Sequence, residues 1–79
     1  MNRQDIENIV NKFLIDEFEI EENLVIGNAK LIDDLGIESL DFVDIVVIIE
    51  KEFKFKVKRE EMTDVKTLND LYKYIEERV

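Results

Sequence analysis

The segment from Asp33 to Asp41 is the part of this sequence best supplied with groups that can do chemistry. It contains Ser39, the only serine among 79 residues, with a glycine three positions before it and four carboxylates. A hydroxyl at the start of a helix lies beside unpaired backbone amides and the positive end of the helix dipole, which suits a phosphate ester. A simpler interpretation makes Ser39 only the N-cap of that helix, worth about 1 kcal/mol.

The side chains that most enzymes use for catalysis are absent from the sequence. Without His there is no usual general base, and without Cys there is no thiolate, disulfide or zinc–sulfur site. The carboxylates do not follow the EF-hand pattern either. Counting from Asp33, the sixth position holds Glu38 where that loop needs Gly, and the twelfth holds Asp44 where it needs Glu. We therefore expect a protein that is not an enzyme and has no specific metal site.

Length and charge restrict the possible partners. A chain of 79 residues predicts a single domain, residues 1–79, and a hydrophobic content of 46% is enough for a core. The formal charge is −9, and residues 1–50 carry three basic against thirteen acidic side chains. This acidity disfavours nucleic acid and anionic membranes and favours basic protein surfaces.

Two further observations concern location. The longest apolar run, Ile45 to Ile49, is far shorter than the roughly 20 residues that span a bilayer. The first residues lack the basic patch and apolar stretch of a signal peptide. We expect a cytoplasmic protein that does not insert into membranes.

Helical spacing of apolar residues predicts the first and last elements. From Arg3 to Phe18 the apolar residues repeat on one helical face. Thr67 and Asp70 resemble a capping box that opens a last helix running to about Arg78. Between them, residues 59–62 are expected to form one short helical turn.

The segment from Leu40 to Phe53 is ambiguous when judged by propensity alone. Residues 45–49 are all β-branched, which favours a buried strand. The polar residues around them fit one side of a helix, however, with Ser39 as the N-cap and Asp41 in the first turn. We predict a helix.

Residues 19–38 show no sustained periodicity and form an unusually long connection of about 20 residues. Large aliphatic side chains are scattered through it, so we expect it to pack over the core. The predicted fold class is all-α: a small up-and-down bundle of three to four helices with a long first loop.

From Leu35 to Phe53 the sequence resembles the acyl carrier proteins, whose hallmark is Leu-Gly-x-Asp-Ser-Leu before an acidic, aliphatic helix. The matching residues here are Leu35-Gly36-Ile37-Glu38-Ser39-Leu40. The resemblance implies that a separate phosphopantetheinyl transferase esterifies Ser39 with 4′-phosphopantetheine from coenzyme A, using magnesium. The arm's terminal thiol would then hold an acyl chain as a thioester, so the cofactor would supply the nucleophile that the chain lacks.

The resemblance also implies partners and binding residues. A monomeric carrier would present its arm to acyl-activating, condensing and acyl-transfer enzymes of fatty-acid, polyketide or related lipid biosynthesis, which carry basic docking patches. The implied partner-recognition residues are Asp34, Glu38, Leu40, Asp41, Asp44, Val46, Val47 and Glu50. The implied acyl pocket is lined by Ile45, Ile49, Val57, Leu71 and Ile75. The alternative is a merely solvated acidic face, with Val46, Val47 and the pocket residues all serving as core.

The sequence departs from the family pattern at several positions. Glu38 stands where the family usually has Asp, and the bulky Phe42 where a small residue is common. Five cations occupy a region that is typically acidic in the carriers of fatty-acid synthesis: Lys51, Lys54, Lys56, Lys58 and Arg59. They either indicate a specialised carrier or serve solubility and packing of their aliphatic stems.

Two other functions remain open. One is a peptidyl or D-alanyl carrier, which would share the fold and the serine. The other is a non-carrier acidic helical adaptor, in which Ser39 would be dispensable.

Overall fold

Each part of the chain with helical spacing is a helix in the computed structural model, which describes residues 1–79. The elements are α1 (Arg3–Phe18), a 3₁₀ turn (Glu22–Leu24), α2 (Ser39–Phe53), α3 (Arg59–Met62) and α4 (Leu68–Glu76). The only strand-like pairing is an isolated bridge between Lys30 and Thr67. The all-α fold with a long first loop is therefore confirmed.

The first helix has the predicted bounds. The side chain of Asn2 accepts a hydrogen bond from the backbone N–H of Asp5 at 2.9 Å, which caps the amino-terminal end. The helix ends at Phe18, and the C-cap residue Glu19 has a left-handed φ of 55°. Its buried face consists of Ile6, Val10, Phe13 and Leu14.

The second helix confirms the choice of helix over strand for the β-branched run. One face of α2 is buried through Ile45, Val46, Ile49 and Phe53. Burial of this face outweighs the modest preference of Ile and Val for strands, because propensity differences amount to only tenths of a kcal/mol per residue.

The predicted N-cap of α2 is wrong by one residue. Glu38, not Ser39, is the N-cap: its backbone is extended, with φ −91° and ψ 167°, and Ser39 is the first helical residue. The carbonyl of Glu38 accepts hydrogen bonds from the amides of Asp41 at 2.9 Å and Phe42 at 3.2 Å. The N–H of Glu38 donates to Asp41 Oδ2 at 3.1 Å. The hydroxyl of Ser39 is thus not needed to cap the helix.

The long first loop packs over the core, as predicted. Its buried residues are Ile20, Ala29, Leu31, Leu35 and Ile37. Three backbone hydrogen bonds join it to the start of α4 and the residues just before it. The N–H of Leu31 donates to Lys66 O at 2.9 Å, that of Leu68 to Ala29 O at 3.0 Å, and that of Asn69 to Gly27 O at 2.8 Å. The loop is therefore attached to the rest of the molecule both by its buried side chains and by backbone hydrogen bonds.

The last helix opens on the predicted capping box. The N–H of Asp70 donates to Thr67 Oγ1 at 3.2 Å, and the N–H of Thr67 donates to Asp70 Oδ2 at 3.1 Å. The helix ends at Glu76, two residues before the predicted Arg78. Leu68, Leu71 and Ile75 are fully buried in a core of 21 apolar and aromatic residues that contains no buried charge.

Candidate functional site

Ser39 lies where the long loop meets the amino-terminal end of α2. Its side chain is exposed, and its hydroxyl forms no hydrogen bond within the protein. The amides of Ser39 and Leu40 donate to no backbone carbonyl, as expected for the first turn of a helix. Gly36 precedes them with a φ of +70°, a left-handed conformation that glycine adopts at little cost. The hydroxyl is thus free to react and lies beside unpaired donors.

Three of the five predicted recognition carboxylates also stabilise backbone. Asp34 Oδ2 accepts a hydrogen bond from Lys30 N at 2.8 Å, and Asp41 Oδ2 accepts one from Glu38 N at 3.1 Å. Glu50 Oε2 accepts one from Val57 N at 2.9 Å and is half-buried. Asp44 and Glu38 are exposed, and Asp44 takes part in no hydrogen bond or ion pair. Asp44 is therefore the carboxylate most available to a partner.

The predicted apolar contacts fall on different sides of α2. Leu40 is 80% exposed and Val47 is 57% exposed, whereas Val46 is only 9% exposed. Val43, which is not among the predicted recognition residues, is also exposed. Leu40, Val43 and Val47 follow the i, i+3, i+7 spacing of one helical face, so counting from Leu40 would have found Val43.

A cleft of about 780 Å³ opens beside Ser39, between the first loop, α2, α3 and the segment that enters α4. This volume lies within the range of small-molecule sites in proteins. Its apolar lining is Leu31, Ile32, Phe42, Val43, Val46, Met62 and Val65. Its polar lining is Lys30, Asp33, Ser39, Arg59, Thr63, Lys66 and Thr67.

The five residues predicted to line an acyl pocket are not among those that line this cleft. Ile45, Ile49, Val57, Leu71 and Ile75 are all buried in the core. The cleft is instead formed by the side of α2 that carries Phe42 and Val46, together with Met62 and Val65 from the α3 region. No local sequence signal identifies Met62 and Val65 as lining residues, because their position depends on how α3 packs.

The α3 wall of the cleft is joined to α4 by a polar cluster. The hydroxyl of Tyr74 donates to Glu61 Oε1 at 2.8 Å and accepts from Lys58 N at 3.3 Å. Arg78 Nη2 donates to Glu61 Oε2 at 2.9 Å, and its guanidinium lies over the Tyr74 ring. The hydrogen bond from Tyr74 and the charge of Arg78 lower the pKa of Glu61 below its ordinary value.

No group of three or more His, Cys, Asp or Glu side chains is arranged to hold a metal ion. None of the helices is both long enough and apolar enough to cross a membrane.

Comparison with known proteins places this site in context. The sequence profile of a family described as "Phosphopantetheine attachment site" matches residues 14–75. The chain is 37% identical to an acyl carrier protein of Thermotoga maritima over 78 residues, covering 99% of this chain and 96% of that protein. It is 36% identical to an acyl carrier protein of Akkermansia muciniphila over 76 residues, covering 96% of this chain and 95% of that protein.

Proposed function

The chain belongs to the phosphopantetheine-attachment family, and on that premise we propose that it is an acyl carrier protein whose prosthetic arm is attached to Ser39. The observation that carries the proposal is the exposed, hydrogen-bond-free hydroxyl of Ser39 at the mouth of the cleft. It is the only serine in the chain. The arm, 4′-phosphopantetheine, supplies a terminal thiol that holds an acyl group as a thioester.

The surroundings of Ser39 fit the attachment reaction. Ser39 Oγ forms a bond to the phosphorus that carries pantetheine as the pyrophosphate bond of coenzyme A breaks. Adenosine 3′,5′-bisphosphate leaves, and the hydroxyl proton passes to the transferase. The free amides of Ser39 and Leu40 and the positive end of the α2 dipole favour the resulting phosphodiester at this position. The chain has no His to act as general base, and we propose that a separate phosphopantetheinyl transferase, with its magnesium, supplies the base.

The cleft is suited to sheltering the cargo. Its floor is formed by the buried side chains of Leu31, Val46, Met62 and Val65. An acyl chain that enters would cover the exposed apolar surface of Ile32 and Val43. Ser39 lies on the same cleft, so a flexible arm attached there can return its acyl end to the floor. The residues predicted to line the acyl pocket, Ile45, Ile49, Val57, Leu71 and Ile75, are buried in the core and would contact the acyl chain only if the bundle opened further.

The outer face of α2 is suited to partner enzymes. It combines the exposed side chains of Leu40, Val43 and Val47 with the free carboxylate of Asp44. An apolar stripe flanked by acidic groups complements a basic patch with an apolar centre, and the charge complementarity would speed encounter. We propose that transferases and the acyl-activating, condensing and acyl-transfer enzymes bind here. The pathway would be fatty-acid, polyketide or related lipid biosynthesis.

The test is the intact mass of the chain after co-expression with a broad-specificity phosphopantetheinyl transferase. We expect a gain of one phosphopantetheine group, which Ser39→Ala abolishes. Thr63→Ala is the matched control, because the Thr63 hydroxyl lies on the same cleft and is not expected to be modified. Absence of any gain with several transferases, including that of the native host, would favour the acidic adaptor instead.

The peptidyl or D-alanyl carrier is the second candidate, since it shares the modified serine. Offering the modified protein to a panel of acyl- and aminoacyl-activating enzymes separates the two. Loading only with an amino acid would overturn the acyl cargo and leave the arm on Ser39 in place.

A further inference from the structure

The segment between α2 and α3, together with the first residue of α3, is a basic strip on an acidic molecule. Residues 54–59 hold four cations, Lys54, Lys56, Lys58 and Arg59, and no carboxylate, whereas the whole chain has a formal charge of −9. All four side chains are exposed. Solubility does not explain them, because cations reduce the net charge of an acidic protein and so weaken the repulsion that keeps it dispersed.

The backbone of the basic strip is anchored to the core. Val57 is 9% exposed and Phe55 is half-buried, with its ring centre 6.3 Å from that of Tyr74. The N–H of Val57 donates to Glu50 Oε2 at 2.9 Å, and that of Lys58 donates to the Tyr74 hydroxyl at 3.3 Å. Because the backbone is already ordered, a partner that binds the cations pays little entropy to fix the chain that carries them.

The positive charges of the strip are not neutralised within the protein. The three ion pairs of the molecule include none of the four strip cations. Glu50 accepts a hydrogen bond from a backbone N–H, and Glu61 pairs with Arg78. The flanking Glu52 and Glu60 are exposed and form no ion pair. Closely spaced cations without a counter-charge repel one another, and an external anionic surface offsets that repulsion.

The strip and the acidic residues around Ser39 lie at opposite ends of α2. Ser39 is the first residue of α2 and Phe53 the last, so roughly 21 Å of helix separates the two ends. Glu38 and Asp41 lie at the first end, and the strip follows the second. Arg59 nevertheless lines the same cleft as Ser39. A partner on the strip would therefore differ in charge from one at the start of α2 and still reach the edge of the cleft.

We propose that the basic strip is a second docking surface, which binds an acidic patch on a partner protein. Charge complementarity selects this occupant. An anionic bilayer is charged over its whole plane and would repel a chain of net charge −9, whereas a protein patch can match the strip alone. A second copy of the chain is disfavoured for the same reason, since it also carries a charge of −9.

The two surfaces would distinguish partners by the sign of their charge. Enzymes with basic patches would bind the outer face of α2, and those with acidic patches would bind the strip, because like charges placed together disfavour the wrong pairing. That the partner of the strip acts on cargo carried by Ser39 rests on the proposed function. The docking itself does not.

The experiment uses a defined acidic probe, the acetylated and amidated peptide Glu-Ser-Glu-Ser-Glu-Ser-Glu. It is added at low salt to the isotope-labelled chain, and binding is followed by the shifts of the amide resonances in NMR spectra. Both molecules are anionic, so their net charges oppose binding and only a local basic surface can favour it. We expect the amides of residues 54–59 to shift, those of α1 to stay in place, and binding to weaken as salt is added.

Two double variants with the same change in net charge locate the binding. K56Q/K58Q should bind the peptide about three- to tenfold more weakly, because two exposed ion pairs are lost. The control K12Q/K73Q removes two exposed lysines outside the strip and should bind nearly as tightly as the parent. Thermal melting checks that both variants fold. Lys56→Gln alone replaces K56Q/K58Q if that protein does not fold, and should weaken binding by about twofold.

Other results would overturn the proposal. If residues 54–59 do not shift, or if both double variants weaken binding equally, the strip is not a docking surface for acidic groups. Without peptide binding, co-sedimentation with phosphatidylglycerol vesicles that K56Q/K58Q abolishes would assign the strip to a membrane. A dimer in sedimentation that only K56Q/K58Q dissociates would assign it to a second copy. Failure of Ser39 to gain the arm, in a chain that still binds the peptide, would overturn the proposed function and leave the docking surface in place.

Discussion

The Tyr74 hydroxyl donates a hydrogen bond to Glu61 Oε1 at 2.8 Å, and this contact joins the four-residue helix α3 to α4. A helix as short as α3 is not stable on its own, since nucleation is costly and few hydrogen bonds repay it. Its position therefore depends on tertiary contacts: the buried side chain of Met62 and the cluster of Tyr74, Glu61 and Arg78. Because Arg59 and Met62 line the cleft, this cluster also determines the shape of the site.

Tyr74→Phe should destabilise the protein by about 1–3 kcal/mol, because it removes a hydrogen bond to a carboxylate and the acceptor for Lys58 N–H. Urea unfolding measures the loss. Glu61→Gln should cost less, since it keeps an acceptor for Tyr74. A Tyr74→Phe protein as stable as the parent would show that the cluster does not hold α3.

The same cluster predicts sensitivity to acid. The pKa of Glu61 is lowered by the Tyr74 hydrogen bond and the Arg78 charge. A carboxyl group with a lowered pKa in the folded state stabilises folding above its ordinary pKa of 4.5, and that stabilisation is lost as pH falls through the folded value. Tyr74→Phe should therefore reduce the stability difference between pH 7 and pH 3, measured by urea unfolding.

Replacing Ser39 and Asp41 at the start of α2 should have different effects on the free energy of unfolding. Ser39→Ala should change the free energy of unfolding by no more than about 0.5 kcal/mol, because the hydroxyl is exposed and makes no hydrogen bond. Asp41→Ala should cost about 1 kcal/mol, because it removes the acceptor for Glu38 N–H and a charge that favours the helix dipole. Thermal melting of the two unmodified variants measures both. If Ser39→Ala cost as much as Asp41→Ala, the serine would have a capping role after all.

Alkaline pH should unfold the protein partly through Tyr72. Its hydroxyl donates to Asn11 Oδ1, and burial of the ring raises the pKa of Tyr72 from 10.0 to about 12. Since the folded state disfavours the phenolate, stability is complete below pH 10 and is lost as pH rises toward 12. Tyr72→Phe should be less stable at pH 8 and lose less stability between pH 8 and pH 11. If the free energy of unfolding, measured with urea, fell equally for the two proteins between pH 8 and pH 11, Tyr72 would not be the group responsible.

The two glycines should respond differently to alanine. At Gly27 an added Cβ would lie 2.5 Å from Asn69 Oδ1, which also accepts a hydrogen bond from Arg3. Gly27→Ala should therefore cost about 1 kcal/mol, and less in an Asn69→Ala background, where the obstacle is gone.

Gly36 has open space around it but a φ of +70°. Gly36→Ala should cost about 1–2 kcal/mol from backbone strain alone, and the Asn69→Ala background should not change that cost. Urea unfolding of the three single variants, Gly27→Ala, Gly36→Ala and Asn69→Ala, and of the two double variants with Asn69→Ala measures both costs. If Asn69→Ala lowered the cost of alanine equally at both glycines, lack of space and not backbone conformation would be what disfavours alanine at position 36.

Much of the fold and the position of Ser39 at the start of a helix follow from the sequence alone. The period of apolar residues placed α1 with its observed bounds, and Thr67 with Asp70 predicted the start of α4. The segment around Ser39 was selected because it holds the only serine beside a helix start. These are local properties: helix periodicity, capping and motif spacing depend on residues within a few positions of each other.

Tertiary structure alone decided how the site is built. In the folded chain Glu38 is the N-cap of α2, and Val46 is buried while Val47 is exposed. The carboxylate of Glu50 accepts a hydrogen bond from the backbone N–H of Val57. The cleft is also formed by segments that lie far apart in the chain, and Leu31, Val46 and Met62 all line it. The face a side chain presents, and what lies opposite it, depend on how elements pack. That arrangement depends on contacts across the whole chain, which local spacing does not contain.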